Sequence, residues 1–302
     1  MTNCCRSSHT AELSDYNNLF ADIVPQIAGS SPLPIVKLIY MHSNHSRSRS
    51  TVRLESVYRK SLLLTIARTN GSILVNEYPK SGGTWLANMV SQGAGKEFPQ
   101  NQFPTLRTSI FHGHYLKKFR GVATVVLWRD PRDVIVSWYH HSLTSNHTNK
   151  KLLTANRSAL GLDDYSDIGA NLPKFIKFMF EQQTSPSFNW NVFFDKWSAD
   201  DANVIHTSYE KLSQEPATEL SSIFKKLNIN SVVPITEVVE QNSFKTQSGR
   251  KKGAENSSSF LRKGIVGDWK NVFNENAIVA LENATEGRLE KYLQFIDKTN
   301  KL

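Results

Sequence analysis

Apolar positions between residues 72 and 297 follow two patterns, short unbroken runs and stripes at helical spacing, and the two alternate along the chain. The run Ser72-Ile73-Leu74-Val75-Asn76 predicts a strand over 72–77. Residues 122–128 (Val-Ala-Thr-Val-Val-Leu-Trp) predict a second, and their continuity is that of a parallel strand covered on both faces. A third strand is expected at 203–207. Between and after them, helical spacing predicts helices at 84–92, from Pro131 through Trp138, at 171–182, at 188–198, from Pro216 to Leu227, at 235–242 and at 276–296. Asp130 suits the N-cap of the second of these, with Pro131 in its first turn. Strands alternating with helices predict an α/β fold, a central parallel sheet flanked by helices in a single domain.

Two stretches break the pattern. Residues 143–170 are polar and read as a loop, the largest candidate insertion, and 245–259, rich in Gly, Lys and Ser, reads as mobile. Upstream, a helix is expected over 52–67, with Leu54, Val57, Leu62 and Ile66 on its apolar side. The first 50 or so residues are polar apart from a short apolar patch at 34–40. The expected division is therefore an N-terminal extension over 1–70 and one catalytic domain over 71–302.

Composition narrows the class. The 302 residues are 39% hydrophobic and 21% charged, enough for a core and too few charges for a disordered polyelectrolyte. The formal net charge of +9 suits an anionic partner: nucleic acid, membrane surface, acidic polymer or nucleotide. The two cysteines, Cys4 and Cys5, are adjacent and can neither staple a core nor provide metal-ligand spacing. The longest apolar runs, 62–66 and 122–128, fall far short of the roughly 20 residues of a membrane span. The first 25 residues lack an apolar signal core, so the expected compartment is cytoplasmic.

Three strings carry anion chemistry. Tyr78-Pro79-Lys80-Ser81-Gly82-Gly83-Thr84-Trp85 follows the first strand and opens a helix, where turn amides and the helix dipole grip a phosphate. Its lysine precedes the glycines, unlike the kinase order G-x-x-x-x-G-K-S/T. The competing reading of the string by itself is only a tight strand-to-helix connection. Arg129, at the carboxyl end of the second strand, is followed eight residues later by Ser137, about two helical turns on. The two are near enough to share an anion, or else belong to a surface Arg–Asp network. Phe260-Leu261-Arg262-Lys263-Gly264-Ile265-Val266-Gly267-Asp268-Trp269-Lys270 places two cations before a glycine whose N–H can approach a phosphate. Between the first two strings lie His112 and His114, suited to proton transfer near neutrality, or simply surface or capping histidines.

The three strings, in this order, resemble the PAPS-dependent sulfotransferases of the cytosolic type, PAPS being 3′-phosphoadenosine-5′-phosphosulfate. The resemblance spans about 72–297. The family commonly reads Y-P-K-S-G-T-T-W, matched here except at Gly83, and R-K-G-x-x-G-D-W-K, matched from Arg262. Tyr209-Glu210-Lys211-Leu212 is similar to Y-E-D-L and Asn242-Ser243-Phe244-Lys245 to T-S-F-K. The resemblance implies a P-loop-like sheet. Lys80, Ser81, Gly82, Gly83 and Thr84 would hold the 5′-phosphosulfate. Arg129, Ser137, Arg262, Lys263 and Gly264 would hold the 3′-phosphate, and Trp85, Tyr209 and Phe244 the adenine. It implies in-line transfer of a sulfuryl group from PAPS to a hydroxyl or amine, leaving PAP, with Lys80 and the amides of 81–85 on the developing charge and no metal. Aligned on the family's K-T-H-L-P, His114 falls on the histidine base and His112 where lysine is usual, and the choice between them stays open.

The family's dimerisation pattern K-x-x-x-T-V-x-x-x-E is absent after Lys270, and oligomeric state stays open. Neither a nucleic-acid partner nor a membrane span is expected. The acceptor is expected to be shaped by 1–70, 143–170 and 245–259. The polar 143–170, with Lys150, Lys151 and Arg157, points to a glycan or other polar hydroxylated molecule. The alternative is a small phenol, alcohol or amine. Two rival functions are a nucleotide-dependent kinase and a non-catalytic polyanion- or nucleotide-binding protein.

Overall fold

Four parallel strands form the centre of the molecule, in the order β2-β1-β3-β4. They are β1 (Ile73–Glu77), β2 (Ile110–Gly113), β3 (Ala123–Trp128) and β4 (Val204–Ser208). The computed structural model describes residues 49–301 apart from 101, 105, 145–149, 183–185, 200 and 257–260. The expectations for 1–48, the apolar patch at 34–40 among them, and for Phe260 lie outside the described residues.

β1 and β3 are the inner strands, which explains their unbroken apolar runs: each is flanked by strands on both edges and covered on both faces. Alternation along β3 sorts the core. Val125 and Leu127 face Ile73 and Val75 of β1 and a layer built from Leu86, Val90, Leu212, Leu220 and Ile223. Val126 and Trp128 face the opposite layer, with Phe175, Phe193, Phe194 and Tyr292. β2 was not foreseen as a strand. It is an edge of four residues, and only Ile110 and Phe111 of them are apolar and buried.

The helices flank this sheet. α1 (Arg49–Leu64) buries Leu62 and Leu63 against a cluster with Leu74 and Phe111. A compact unit begins at Arg53, within this helix. α2 (Gly83–Ala94) follows β1, and α3 (Pro131–Tyr139) follows β3, where the Asp130 side chain accepts the Arg132 N–H at 2.9 Å as an N-cap. The expected loop at 143–170 is corrected: it contains α4 (Lys150–Leu160), whose one buried residue, Leu160, leaves almost no apolar stripe to read. Next come α5 (Ile168–Glu181), α6 (Trp190–Trp197), α7 (Tyr209–Gln214), α8 (Pro216–Lys226) and α9 (Ile235–Gln241).

The segment expected to be mobile opens instead with the short helix α10 (Phe244–Ser248). It then returns beside the third anion string, with the Gly253 N–H on Lys263 O and the Asn256 N–H on Arg262 O, both at 2.9 Å. The expected terminal helix is two, α11 (Glu275–Thr285) and α12 (Arg288–Lys301). They are separated at Glu286 and Gly287, whose φ values of 52° and 77° are left-handed. No helix of the described residues is long and apolar enough to cross a membrane.

Candidate active site

The carboxyl ends of all four strands point to one place. β1 delivers the loop 78–82, β2 delivers His112 and His114, β3 delivers Arg129, and β4 runs into Tyr209. This is the side on which open α/β sheets bind ligands. The resulting cavity of about 380 Å³ is completed by residues from 242–252 and by 261–265. Of the residues named from sequence, Lys80, Gly82, Gly83, Thr84, Trp85, His112, His114, Arg129, Ser137, Tyr209, Phe244, Arg262, Lys263 and Gly264 all line it. Ser81 does not. It is buried, and its Oγ donates to Tyr78 O at 2.7 Å, bracing the loop from behind.

The loop is wound unusually. Lys80 has φ 75° and Gly82 φ 104°, so a non-glycine residue sits in the left-handed region at the turn itself. Gly82 has a second reason to be glycine: a Cβ there would lie 2.8 Å from the Tyr209 ring. α2 starts without a side-chain cap. The expectation that all amides of 81–85 face a bound phosphate needs correction. The N–H of Ser81 bonds Tyr78 O at 3.2 Å, that of Trp85 bonds Gly82 O at 3.0 Å, and that of Gly83 donates to Glu77 Oε2. The Lys80 ammonium supplies the positive charge of the loop. Burial lowers it to about 8; the Glu77 carboxylate opposes this, and Arg129 and Arg262 add to it.

Arg129 donates to Lys80 O at 3.2 Å and lies 4.2 Å from the Tyr209 ring centroid. Its Nε is buried and has no hydrogen-bond partner among the described residues. The guanidinium as a whole lines the cavity and offers it a positive charge. Arg262 and Lys263 approach the same end. Arg262 donates to Asp268 Oδ2, Lys263 donates to Asp268 Oδ1 at 2.7 Å, and Glu255 accepts from Arg262 at 2.7 Å. Burial pushes the Asp268 carboxyl up, and the bonds from Lys263, Arg262 and Asn271 outweigh it, leaving it at about 2. Asp133 pins this string to α3 by accepting the Gly267 and Trp269 N–H groups at 2.7 and 2.9 Å. Gly264, with φ 66°, faces the Phe244 ring, and a Cβ there would run into it. The Trp85 indole donates to Asn242 O at 2.8 Å, tying α2 to the segment that carries Phe244.

The sequence reading missed Glu77. It ends β1, is buried, and reaches both histidines. Its Oε1 accepts from His112 Nε2 at 3.1 Å, and its main-chain carbonyl lies 3.1 Å from His114 Nδ1. Burial raises the Glu77 carboxyl, and the hydrogen bonds from His112 and Gly83, with the charge of the nearby histidines, hold it below its ordinary value. A charged residue closing an apolar strand was the available signal. Ligand-type atoms of Glu77, His112 and His114 lie within 4.8 Å of one another, a spacing that a cation could use. Both Glu77 carboxylate oxygens already accept hydrogen bonds, from His112 Nε2 and the Gly83 N–H, and the cluster reads as a hydrogen-bonded group. Trp138, His141 and Pro186 also line the cavity and were likewise not foreseen, because single residues in helix ends and loops carry no pattern.

Comparison with known proteins agrees with this geometry. The sulfotransferase domain model matches residues 118–295, beginning after the first anion loop and both histidines. Mouse sulfotransferase 6B1 is 27% identical over 240 residues, covering 67% of this chain and 71% of that protein. Mouse sulfotransferase 1B1 is 23% identical over 237 residues, covering 68% and 78%. In fold, the chain is similar to mouse sulfotransferase SULT7A1 complexed with PAP, with a TM-score of 0.57 at 17% identity over 77% of this chain and 92% of that one. It is also similar to retinol dehydratase in complex with androsterone and PAP, with a TM-score of 0.52 at 16% identity over 77% and 85%. A domain match over more than half of the sequence, in a chain whose four strand ends meet at one cation-lined cavity, means that the chain belongs to the sulfotransferase-domain family.

Proposed function

We propose that this protein uses PAPS to sulfate a hydroxyl or amine of a small molecule, with His114 as the base. When bound, PAPS supplies the sulfuryl group. The observation that carries the reading is the contact between His114 Nδ1 and the Glu77 carbonyl at 3.1 Å. A carbonyl only accepts, so Nδ1 holds the hydrogen and Nε2 the lone pair. Burial lowers the affinity of His114 for a proton, the nearby Glu77 charge opposes this, and His112 and Lys80 add to it, so the ring is neutral at pH 7. His114 Nε2 therefore takes the acceptor proton, while Lys80 places a positive charge where negative charge develops. Arg129, Ser137, Arg262 and Lys263, which all line the cavity, hold the 3′-phosphate. Trp85, Tyr209 and Phe244 form the slot for the base, which the glycines at 82 and 264 leave room for.

The expected glycan acceptor rested on the cations of 143–170. None of Lys150, Lys151 and Arg157 lines the cavity. The Arg157 guanidinium is committed elsewhere, donating to Leu143 O and lying 4.7 Å from the Tyr165 ring centroid. The cavity that holds the histidines is also lined by Pro79, Trp138, His141 and Pro186, which favour a small, partly apolar alcohol, phenol or amine. Transfer of radiolabel from PAPS to two pools, one of glycans and one of small phenols, steroids and amines, tests this. Label in the small-molecule pool is expected; label confined to glycans would restore the other acceptor class, and label in neither would remove the enzyme reading.

A further inference from the structure

The two departures from the family strings, Gly83 for threonine and His112 for lysine, meet at one carboxylate. Glu77 Oε2 accepts the Gly83 N–H, and Oε1 accepts from His112 Nε2 at 3.1 Å. A Cβ on residue 83 would lie 2.6 Å from both Glu77 Cδ and His112 Nε2. No side chain fits at 83 while Glu77 and His112 are paired, so glycine there is a consequence of the pair. The same residue also serves the second imidazole, since its main-chain carbonyl accepts from His114 Nδ1. The two rings stand edge to face with centroids 5.3 Å apart. Glu77 is 4% exposed, in a cavity otherwise lined by the cations Lys80, Arg129, Arg262 and Lys263.

We propose that Glu77 is the positioning residue of the base: its side chain holds His112, its main chain holds His114, and its carboxylate balances the imidazolium that forms when the acceptor proton arrives. A buried anion facing an imidazole both orients the ring and stabilises its charged form, and it is most effective where water is excluded. Glu77, Gly83 and His112 are then one interlocked unit standing where the related strings carry threonine and lysine. This inference rests on the reading of a histidine base.

The test is a set of variants followed by two readouts. Glu77→Gln keeps the shape and removes the charge. Its kcat is expected to fall about tenfold to hundredfold, part of what a proton-transfer group contributes, with little change in KM for PAPS. The acid limb of kcat should move to lower pH, because an imidazole without its anion binds a proton more weakly. Glu77→Asp should recover part of that displacement. Gly83→Thr alone should lower the melting temperature and PAP affinity, and the loss should shrink in the Glu77→Ala background, where the obstructing carboxylate is gone. An unmoved acid limb with native kcat in Glu77→Gln, or strictly additive losses in the double variant, would overturn the proposal. So would a stoichiometric divalent metal that co-purifies with the native chain and is lost in Glu77→Gln. Retained turnover in His114→Gln would overturn the base assignment together with the role of Glu77 in holding it. A failure confined to the Glu77 variants would leave the base assignment standing.

Discussion

Arg262 and Glu255 form an ion pair of 2.7 Å at the end of the cavity assigned to the 3′-phosphate, so a cation awaiting an anion is already occupied by one from the neighbouring segment. Lys263 lies 3.7 Å from the other oxygen of the same carboxylate. Glu255 must yield when a phosphate arrives. Removing its charge in Glu255→Gln should strengthen PAP binding by about twofold to fivefold, the scale of a partly exposed ion pair. Calorimetry at low and moderate salt checks this, with the gain shrinking as salt rises. Unchanged or weaker binding would mean that Glu255 supports the loop instead of competing for it.

Arg129 differs from Arg262 in its looser ion pairing, 3.9 Å to Asp133 against 2.7 Å from Arg262 to Glu255. Arg129→Ala should weaken PAP by roughly 10- to 100-fold, the worth of one or two charge-assisted hydrogen bonds, and leave acceptor KM almost unchanged. Equal effects on both ligands would place Arg129 in the general framework of the site.

Lys80 is expected to contribute mainly to the transition state. Lys80→Ala should lower kcat by about 10²- to 10³-fold, as loss of a preorganised donor does. With the ammonium held at about 8, PAP affinity should also fall as pH rises through that value, because the charged form is lost on the alkaline side. Lys80→Arg, which stays protonated, should flatten this dependence. A flat profile in the native chain would remove Lys80 from the phosphate.

The proton affinity of His114 is lowered by burial, with Lys80 and His112 facing it and adding to the effect and Glu77 opposing it. A base must be neutral, so the acid limb of kcat/KM, which reports the free enzyme, should lie below the ordinary histidine value of about 6.5. A limb above that value would show that the Glu77 charge dominates burial.

Much of this site could be read from sequence because anion loops are local. Lys80 to Trp85 and Arg262 to Gly264 each lie in one short string, and β3 declared itself by being buried on both faces. β2 did not, because an edge strand ending His112-Gly113 has only two buried apolar residues to show. α4 escaped because it buries only Leu160. The role of Glu77 was not legible for a different reason, although its charge at the end of an apolar strand was. Its partners Gly83 and His112 come from the start of the following helix and from another strand, and only the parallel pairing of β1 with β2 brings His112 beside it. The amides of 81–85 could be counted in sequence, but not that those of Ser81, Gly83 and Trp85 are bonded within the protein.

The most direct measurement is transfer of label from PAPS at saturating small-molecule acceptor by the native chain and by His114→Gln, with PAP affinity measured for both. The account predicts transfer by the native chain, a loss of about 10²- to 10⁴-fold in the variant, and the same PAP affinity in each. Turnover within a few-fold of native in His114→Gln would contradict it.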